Sequence, residues 1–235
     1  MSATNRGTER EDLDSYFTPL DVTRAIVRRL LADGLIWKGW QQGEGAQNLS
    51  VLEPSVGKGA FVQAAMDLLD PDVIDVVDLV IRPEIKELDI SHEFETDFLA
   101  FRPTHTSQAY DLILGNPPFS EAEQHIRHAL PMLTPQGRLA FLLRVNFLEG
   151  KQRHKSFWKE FPPEFVYVLD KRPSFTTRLR PKINKKTGEL VLKKNGEPVM
   201  VKTQHDSIAY GVFVWRAQPI PQEPVIRFLQ WRRED

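Results

Sequence analysis

The sequence predicts an α/β fold built on a doubly wound, mostly parallel sheet of seven strands. The first observation is that short apolar runs alternate with segments of helical periodicity through most of the chain. The second is that this alternation fails late, because no helix separates the sixth predicted strand from the seventh. The seventh strand is therefore expected to return antiparallel, and the segment before it to project as an arm.

The elements are predicted in order from periodicity and from turn residues. Residues 1–14 are polar and are expected to be a disordered tail ahead of a single domain at 15–235. Asp21 can cap the first helix, which is expected to begin near Val22. Strands are predicted at 49–53, 73–81, near Glu95, and at 110–115, 138–144, 165–169 and 208–215, with later helices at 60–66, 121–133 and 151–161.

Bulk composition excludes several functional classes. The chain has 235 residues, of which 41% are hydrophobic and 27% charged, as is ordinary for a soluble globular protein. No apolar run is long enough to span a bilayer, and the N-terminus is not signal-like, so a cytoplasmic protein with no membrane partner is expected. The absence of cysteine excludes disulfides, thiolate metal sites and thiol nucleophiles, and no metal is expected.

Positive charge is concentrated in one late segment, although the formal net charge is only -1. Ten lysines and arginines lie between Lys171 and Lys202, opposed only by Glu189 and Glu197. Such a segment indicates a polyanionic partner better than the net charge does. A turn at 194–197 between two apolar triplets predicts a basic β-hairpin inserted at 176–206, called here the basic arm. The alternative is a solvated loop.

Asn116, Pro117, Pro118 and Phe119 follow directly after the predicted fourth strand. Ligands of open α/β sheets bind beyond the carboxyl ends of the strands. The prolines restrict the backbone around Asn116, which predicts a rigid polar clamp beside a stacking ring. Such a clamp suits a planar group that bears an amine. The alternative is a loop whose prolines simply end the strand.

The loop after the first strand contains two glycines, in the run Glu53-Pro54-Ser55-Val56-Gly57-Lys58-Gly59. Glycines at such a turn let a ligand approach the backbone closely. The run is neither a Walker loop nor the three-glycine dinucleotide fingerprint. Because Glu53 would repel a phosphate, a cationic or hydroxyl-bearing ligand is favoured. The alternative is a tight turn without a ligand.

Three segments stand in a fixed order along the chain: Tyr16–Pro19, Glu53–Phe61 and Asn116–Phe119. Together they resemble the motifs of the amino-methyltransferases that methylate adenine N6 in DNA, in an order similar to the gamma-type arrangement. The resemblance covers about residues 15–175 and the final strand, and is greatest to small single-domain enzymes of phages and bacteria. It implies a Rossmann-like class I methyltransferase fold and S-adenosylmethionine as the methyl donor.

The resemblance also implies which residues bind the cofactor. Thr18 and its neighbours would line the methionine end, Glu53 would lie near the ammonium, and Asp97 would hold the adenine amino group. The family's acid for the ribose hydroxyls aligns with Val80, so either cofactor binding is weak, Asp78 or Glu84 substitutes, or the register differs. The full predicted set is Tyr16, Thr18, Pro19, Glu53, Pro54, Ser55, Gly57, Gly59, Phe61, Asp97, Phe98 and Asn116.

The catalytic residues implied by the resemblance are Asn116, Pro117, Pro118 and Phe119. The Asn116 side-chain oxygen and the Pro117 carbonyl would accept the two amino hydrogens of the target base. Catalysis would then depend on positioning and electrostatics, without a covalent intermediate. The adenine must leave the base stack, and Phe119 and Phe175 would stack on it.

DNA is the expected partner of a monomer or weak dimer, with RNA as an alternative. No recognition domain follows residue 215, where only a short apolar tail at 225–231 is visible, so sequence specificity is expected to be short or relaxed. Other open functions are protein glutamine N5-methylation and cofactor-free nucleic-acid binding; protection against restriction and evasion of host defence are both compatible roles. The residues expected on the DNA backbone are Arg178, Arg180, Lys182, Lys185, Lys186, Lys193 and Lys194.

Overall fold

A mixed sheet of eight strands forms the centre of the fold in a computed structural model of the chain. The structure describes residues 17–37, 48–103, 109–173, 175, 179–184, 187–193, 195–202, 208–218, 220 and 223–232. The strands are β1 (Ser50–Glu53), β2 (Val73–Asp78), β3 (His92–Glu95), β4 (Tyr110–Gly115), β5 (Leu133–Arg144), β6 (Phe165–Leu169), β7 (Leu179–Pro181), β8 (Met200–Lys202), β9 (Tyr210–Arg216) and β10 (Val225–Leu229). Across the large sheet they run β10-β6-β9-β5-β4-β1-β2-β3.

Strand β9 carries the predicted reversal of direction. It pairs antiparallel with β5, where Arg144 faces Tyr210, and antiparallel with β6, where Val168 faces Gly211. The pairs among β1, β2, β3, β4 and β5 are parallel. The predicted architecture of a mostly parallel sheet with one returning strand is therefore confirmed.

The predicted number of strands is too low by one, because the apolar tail adds β10 to the edge of the sheet. This strand runs parallel to β6, with Arg227 facing Tyr167. Arg227 forms an ion pair with Asp33, and its guanidinium lies 4.6 Å from the centre of the Phe165 ring. These contacts fix the tail against the body, and no sequence-local signal predicts a pairing between segments so far apart.

Helices cover both faces of the sheet. They are α1 (Leu20–Ala32), α2 (Ala60–Leu69), α3 (Ala122–Ala129), α4 (Lys151–Lys155) and α5 (Phe157–Glu160), with 3-10 segments at Pro83–Glu87, Phe119–Glu121, Leu130–Met132 and Val145–Leu148. α1 and α2 pack on one face and α3 and α5 on the other, so strand residues alternate between two cores, as Leu112 and Ile113 do. Burial on both faces explains why β4 is apolar from Leu112 to Leu114.

Several predicted boundaries are wrong by one to five residues. α1 begins at Leu20, and Asp21 lies in its first turn, where it makes no capping hydrogen bond. β2 ends at Asp78 rather than at residue 81. β5 begins at Leu133 rather than at residue 138, and its pairing with β4 is irregular. The helix predicted at 151–161 is two short helices, α4 and α5.

The basic arm contains a hairpin, but with a different outer pair of strands. β7 pairs antiparallel with β8, so that Arg180 faces Val201. The predicted turn is present nearer the tip, where Leu192 bridges to Pro198 and the Gly196 N–H donates to the Lys193 carbonyl at 3.0 Å. The prediction of a hairpin is correct. The apolar triplet at 190–192, however, forms only isolated bridges, at Leu190 and Leu192, and not a strand.

Candidate active site

A cavity of about 650 Å³ opens at the carboxyl edge of the sheet. Its wall is formed by the loops that follow β1, β2, β3, β4 and β5. Convergence of these loops follows from the parallel arrangement, because all five strands end at the same edge. Pro54, Ser55, Asp97, Phe98 and the four clamp residues line it together with Phe17, which brings all three sequence motifs together.

A smaller pocket of about 30 Å³ adjoins the cavity. It shares the wall residues Phe17, Ser55, Gly57 and Asn116 with the larger space. Its other lining residues are Thr18, Glu53, Val56, Lys58, Ala60 and Phe61. The N-terminal motif therefore borders both spaces, and Asn116 lies where the two spaces meet.

Gly57 adopts a backbone conformation that favours glycine, with φ of +54°. A Cβ added here would lie 3.4 Å from the ring of Phe17, which lies against the loop. The Gly57 N–H donates to the Asp78 carboxylate at 2.8 Å. The glycine thus lets the β1 loop lie close to both the N-terminal segment and the end of β2.

Gly59, predicted to admit the cofactor, has a structural reason of its own to be glycine. Its φ is +77°, and an added Cβ would lie 2.9 Å from methyl carbons of both Ile85 and Leu88. It precedes α2 and does not line either pocket. Close packing of the 3-10 segment after β2 therefore accounts for this glycine.

Glu53 is a buried acid, with 2% of its surface exposed. One carboxylate oxygen accepts a hydrogen bond of 3.0 Å from the Val62 N–H in α2. Burial raises the pKa of Glu53 well above its usual range; the Val62 hydrogen bond opposes this rise and the nearby Asp78 carboxylate adds to it. A cation entering the small pocket would favour the ionised carboxylate.

The acid at the end of β2 is Asp78, and not a residue aligned with Val80. β2 ends at Asp78, which lines the cavity and is oriented by the Gly57 N–H. Val80 lies beyond the strand, with 46% of its surface exposed. The alignment that placed Val80 at the strand end therefore extended the strand too far.

The clamp residues follow β4 with little freedom. The Asn116 Nδ2 donates to the Thr18 hydroxyl at 3.2 Å, which fixes the orientation of the amide. Pro117 is buried and Pro118 exposed. The Phe119 ring lies under the guanidinium of Arg144, with 4.8 Å from the Arg144 Cζ to the ring centre. An amide, a proline carbonyl and an aromatic ring thus line one wall of the cavity.

Asp97 and Phe98 line the cavity from the loop after β3. Asp97 Oδ1 accepts the Leu99 N–H at 2.9 Å, so the carboxylate shapes its own turn. The Phe98 ring is buried, with ring centres of His125 and His128 at 5.2 and 4.9 Å. Burial lowers the pKa of both histidines, which favours their neutral forms.

The sequence did not point to a group of residues at the end of β5. Arg144, Asn146, Phe147 and Arg153 all line the cavity, as does His125 from α3. The strand-end rule that located the clamp applies equally to β5, and could have singled out Arg144. Phe17 was also missed, although it lies within a recognised motif and borders both pockets.

Some predicted site residues lie elsewhere. Phe175 is 7% exposed and packs edge-on against Tyr210 with ring centres 4.7 Å apart, so it belongs to the core and does not line the cavity. Pro19 precedes α1 and lines neither pocket. Tyr16 lies outside the described residues.

The predicted DNA-contacting residues are described only in part. Lys182 and Lys193 are exposed, and Lys193 forms an ion pair of 3.1 Å with Glu197. Arg180 lies in β7. The residues outside the described ranges are Arg178, Lys185, Lys186 and Lys194.

The described residues show neither a metal-binding cluster nor a helix that could span a membrane. They hold no group of three or more histidine or acidic side chains placed to bind a metal ion. Within the same ranges, no helix is both long enough and apolar enough to cross a membrane.

The architecture is similar to that of several solved structures. A candidate class I S-adenosylmethionine-dependent methyltransferase from Listeria monocytogenes matches with a TM-score of 0.57 and 13% identity, covering 94% of this chain and 68% of that one. A candidate RNA methyltransferase from Pyrococcus horikoshii matches with a TM-score of 0.52 and 12% identity, covering 92% and 94%. No protein-family model matches the chain, and no curated protein matches its sequence.

These similarities establish the fold. The strand order, the antiparallel β9 and the structural matches define a Rossmann-like class I methyltransferase fold. At such low identity, the fold does not specify the substrate. The substrate has to be inferred from the residues of the site.

Proposed function

We propose that this chain transfers a methyl group from S-adenosylmethionine to the N6 amino group of an adenine flipped out of DNA. The observation that carries the proposal is the position of Asn116. It lies at the carboxyl end of central strand β4, between the two pockets, and its amide is held by Thr18 from a motif 98 residues away. A rigid amide acceptor beside an aromatic ring suits a planar, amine-bearing target.

The pocket residues fit S-adenosylmethionine. Glu53 would face the ammonium of the methionine part of the cofactor in the small pocket. The positive charge would offset the free-energy cost of burying the ionised Glu53 carboxylate. Asp78 would accept the ribose hydroxyls at the end of β2, and Phe98 would cover the adenine ring. The 650 Å³ cavity lies within the range of about 300–1,000 Å³ that is usual for ligand pockets.

The chemical role of the protein is to make a weak nucleophile reactive. Bound S-adenosylmethionine supplies an electrophilic methyl group on its sulfonium. The adenine N6 lone pair is delocalised into the ring, and Asn116 Oδ1 and the Pro117 carbonyl would accept the two amino hydrogens. This arrangement favours a tetrahedral nitrogen whose lone pair faces the methyl group, and the excess proton then leaves to solvent. Catalysis would come from positioning and electrostatics.

Thr18 has a positioning role in this mechanism. Its hydroxyl accepts from the Asn116 Nδ2, so the amide oxygen is held on the other side of the side chain. Without this contact, the amide could rotate and present its NH₂ group, a donor, to the target amine. The Thr-Pro motif would therefore orient the clamp as well as border the small pocket.

The base would be held by stacking. Phe119 would provide the ring, and the cation–π contact with Arg144 holds it in place. Stacking of a base on an aromatic side chain contributes about 1–3 kcal/mol, which partly offsets the cost of flipping. The basic arm would hold the phosphates on either side.

Methyl transfer to three substrates in parallel tests the proposal. Duplex DNA, RNA and a protein extract are incubated with the enzyme and S-adenosylmethionine labelled in its methyl group. We expect label in DNA, at adenine. Label only in RNA, or only on glutamine side chains of protein, would overturn the DNA assignment, and no binding of S-adenosylmethionine would overturn the enzymatic one.

Sequence preference is a separate consequence. We propose a short or relaxed target sequence, because the basic arm would contact phosphates, and contacts to phosphates carry no sequence information. Sequencing the modified positions in treated genomic DNA should reveal a motif of only a few bases. A long defined motif would show that the arm or the loops read bases directly.

A further inference from the structure

A second basic surface lies beside the cavity, on helix α4. The helix has the sequence Lys151-Gln152-Arg153-His154-Lys155 and contains no acid. Lys151, His154 and Lys155 are exposed, whereas Arg153 is half-buried. α4 follows the 3-10 segment that contains Phe147, a residue of the cavity wall.

Arg153 fastens α4 to the wall of the cavity. Its Nε donates to Glu123 at 2.7 Å, and one terminal nitrogen donates to the carbonyl of Phe147 at 2.8 Å. The guanidinium also lies 4.3 Å from the centre of the Phe147 ring. Because Arg153 itself lines the cavity, the helix is held at the cavity's edge.

The two lysines of α4 are placed to meet an external anion. They are four residues apart, so their side chains emerge on the same face of the helix. Within the part of the chain that the structure describes, neither forms an ion pair with a carboxylate, whereas Lys58 pairs with Glu84 and Lys193 of the arm pairs with Glu197. Charges without a fixed internal partner are those that can replace the counterions of a phosphate backbone.

The sheet places α4 and the basic arm at the same edge. The arm leaves after β6 and returns into β9, whose first residue Tyr210 faces Arg144 at the end of β5. α4 follows β5 on the same edge. A backbone that passed the cavity mouth would therefore meet cations from two separate segments of the chain.

We propose that Lys151 and Lys155 of α4 form a second phosphate-binding surface, which holds the DNA backbone beside the cavity. The proposal rests on the proposed function, since it assumes that the cavity receives a base from DNA. The surface positions the duplex without reading bases, because lysine contacts to phosphate carry no sequence information. The arm then supplies only part of the electrostatic contact.

The salt dependence of DNA binding tests the proposal. The double variant Lys151→Gln/Lys155→Gln keeps long helix-forming side chains and removes two charges. Because each phosphate contact contributes about 0.9 to the slope of log K against log salt, the slope should fall by about 1.8. The KM for DNA should rise, while kcat at saturating DNA and the Kd for S-adenosylmethionine stay at wild-type values.

A matched control removes two charges elsewhere. Arg28→Gln/Lys86→Gln changes two exposed cations on the opposite layer of the fold, where α1 and the 3-10 segment after β2 pack. Its slope and KM should equal those of the wild type. An equal fall in both double variants would overturn the proposal, because it would show a general effect of net charge.

A charge-reversal variant distinguishes loss of DNA contacts from loss of folding. Lys151→Glu/Lys155→Glu should weaken DNA binding further than the glutamine pair while the thermal midpoint stays within a few degrees of wild type. If both α4 variants bind DNA with the wild-type slope, the surface is only solvated and the proposal is overturned. A change seen with RNA duplexes alone would likewise overturn it.

The outcomes separate this proposal from the proposed function. If the wild type binds DNA but transfers no methyl group, a lower salt slope in the α4 variants would support the phosphate surface, while the absence of transfer would overturn the enzymatic role. Methylation of DNA by the wild type, with no effect of the α4 variants on slope or KM, would support the enzymatic role and overturn the surface.

Discussion

The clamp after β4 and the basic arm after β6 differ in burial, and would therefore bind their proposed ligands by opposite physical means. Asn116 and Pro117 follow a strand that is buried on both faces, and the Asn116 amide is oriented by the hydrogen bond it donates to Thr18 of another motif. The described side chains of the arm are mostly exposed, as Lys182 and Lys193 are. We therefore expect the reaction rate to depend on single atoms of the clamp, and DNA affinity on the sum of many charges.

The largest effect should come from the clamp itself. Asn116→Ala removes the proposed acceptor for the target amine, so kcat should fall by at least about 100-fold, as when one hydrogen-bonding group of a transition-state site is removed. Steady-state methylation assays measure the rate, and calorimetry should show nearly unchanged cofactor affinity. Ser120→Ala, at an exposed residue of the same cavity, is the control; wild-type turnover of Asn116→Ala would refute the mechanism.

DNA binding by the arm should weaken with the number of positive charges removed. Replacing Lys185, Lys186, Lys193 and Lys194 together by alanine should weaken DNA binding and lower the salt slope by up to about 3.6, which is about 0.9 for each contact. Titrations between about 50 and 200 mM salt measure the slope. An unchanged slope would show that the arm is a solvated loop that makes no phosphate contacts. A changed kcat at saturating DNA would contradict the proposal that the clamp sets the rate and the arm sets the DNA affinity.

The free energy of unfolding of a Gly59 variant tests whether this glycine is required for packing of the loop or for approach of the ligand. Gly59→Ala combines a left-handed conformation with overlap against Ile85 and Leu88, so the free energy of unfolding should fall by about 2–4 kcal/mol. Urea denaturation followed by tryptophan fluorescence measures this. Gly34→Ala is the matched control, because Gly34 has φ of +67° but open space around it, and should lose only about 1–2 kcal/mol. Equal losses would show that packing contributes nothing at Gly59.

Thr18 should have a smaller effect than Asn116, because it acts through the amide. Thr18→Val keeps the shape and removes the acceptor of the 3.2 Å hydrogen bond. We expect a loss of about 1 kcal/mol, or about fivefold in single-turnover rate. Thr18→Ser keeps the hydroxyl and should restore most of the rate. If serine and valine reduce the rate equally, the methyl group and not the hydrogen bond is responsible.

The smallest expected effect is the release of a proton from Glu53 when the cofactor binds. Because the pKa of Glu53 in the folded protein is raised above its usual 4.5, the stability it contributes is present below that value and is lost as pH rises through the raised pKa. Between the usual and the raised pKa, Glu53 is protonated in the free protein. The ammonium of the bound cofactor should favour its ionised form, so cofactor binding should release a proton. Calorimetry in buffers of different ionisation enthalpy measures the release, and Glu53→Gln should abolish it. Equal release by both proteins would assign the proton to another group.

The elements predicted well are those with local signals. β4 matches its predicted bounds, because a buried parallel strand is a continuous apolar run that ends in turn residues. The reversal at β9 followed from the missing helix before it. β10 could not be predicted, because its pairing with β6 depends on the distant contact between Arg227 and Asp33.

The same distinction applies to the site. Asn116, Glu53 and Asp97 were singled out because each lies at or just after the end of a strand, and all three line the pockets. The end of β2 was placed two residues too late, at Val80 instead of Asp78, since the apolar run continues beyond the strand. His125 carries no sequence signal for the site, because its place in the cavity depends on how α3 packs on the sheet.

The nucleoside composition of methylated DNA tests the central claim most directly. Duplex DNA is treated with the wild type or with Asn116→Ala, digested to nucleosides and analysed by mass spectrometry. We expect N6-methyladenine with the wild type and almost none with the variant. A methyl group on another nucleoside, or equal amounts of N6-methyladenine from both proteins, would contradict it.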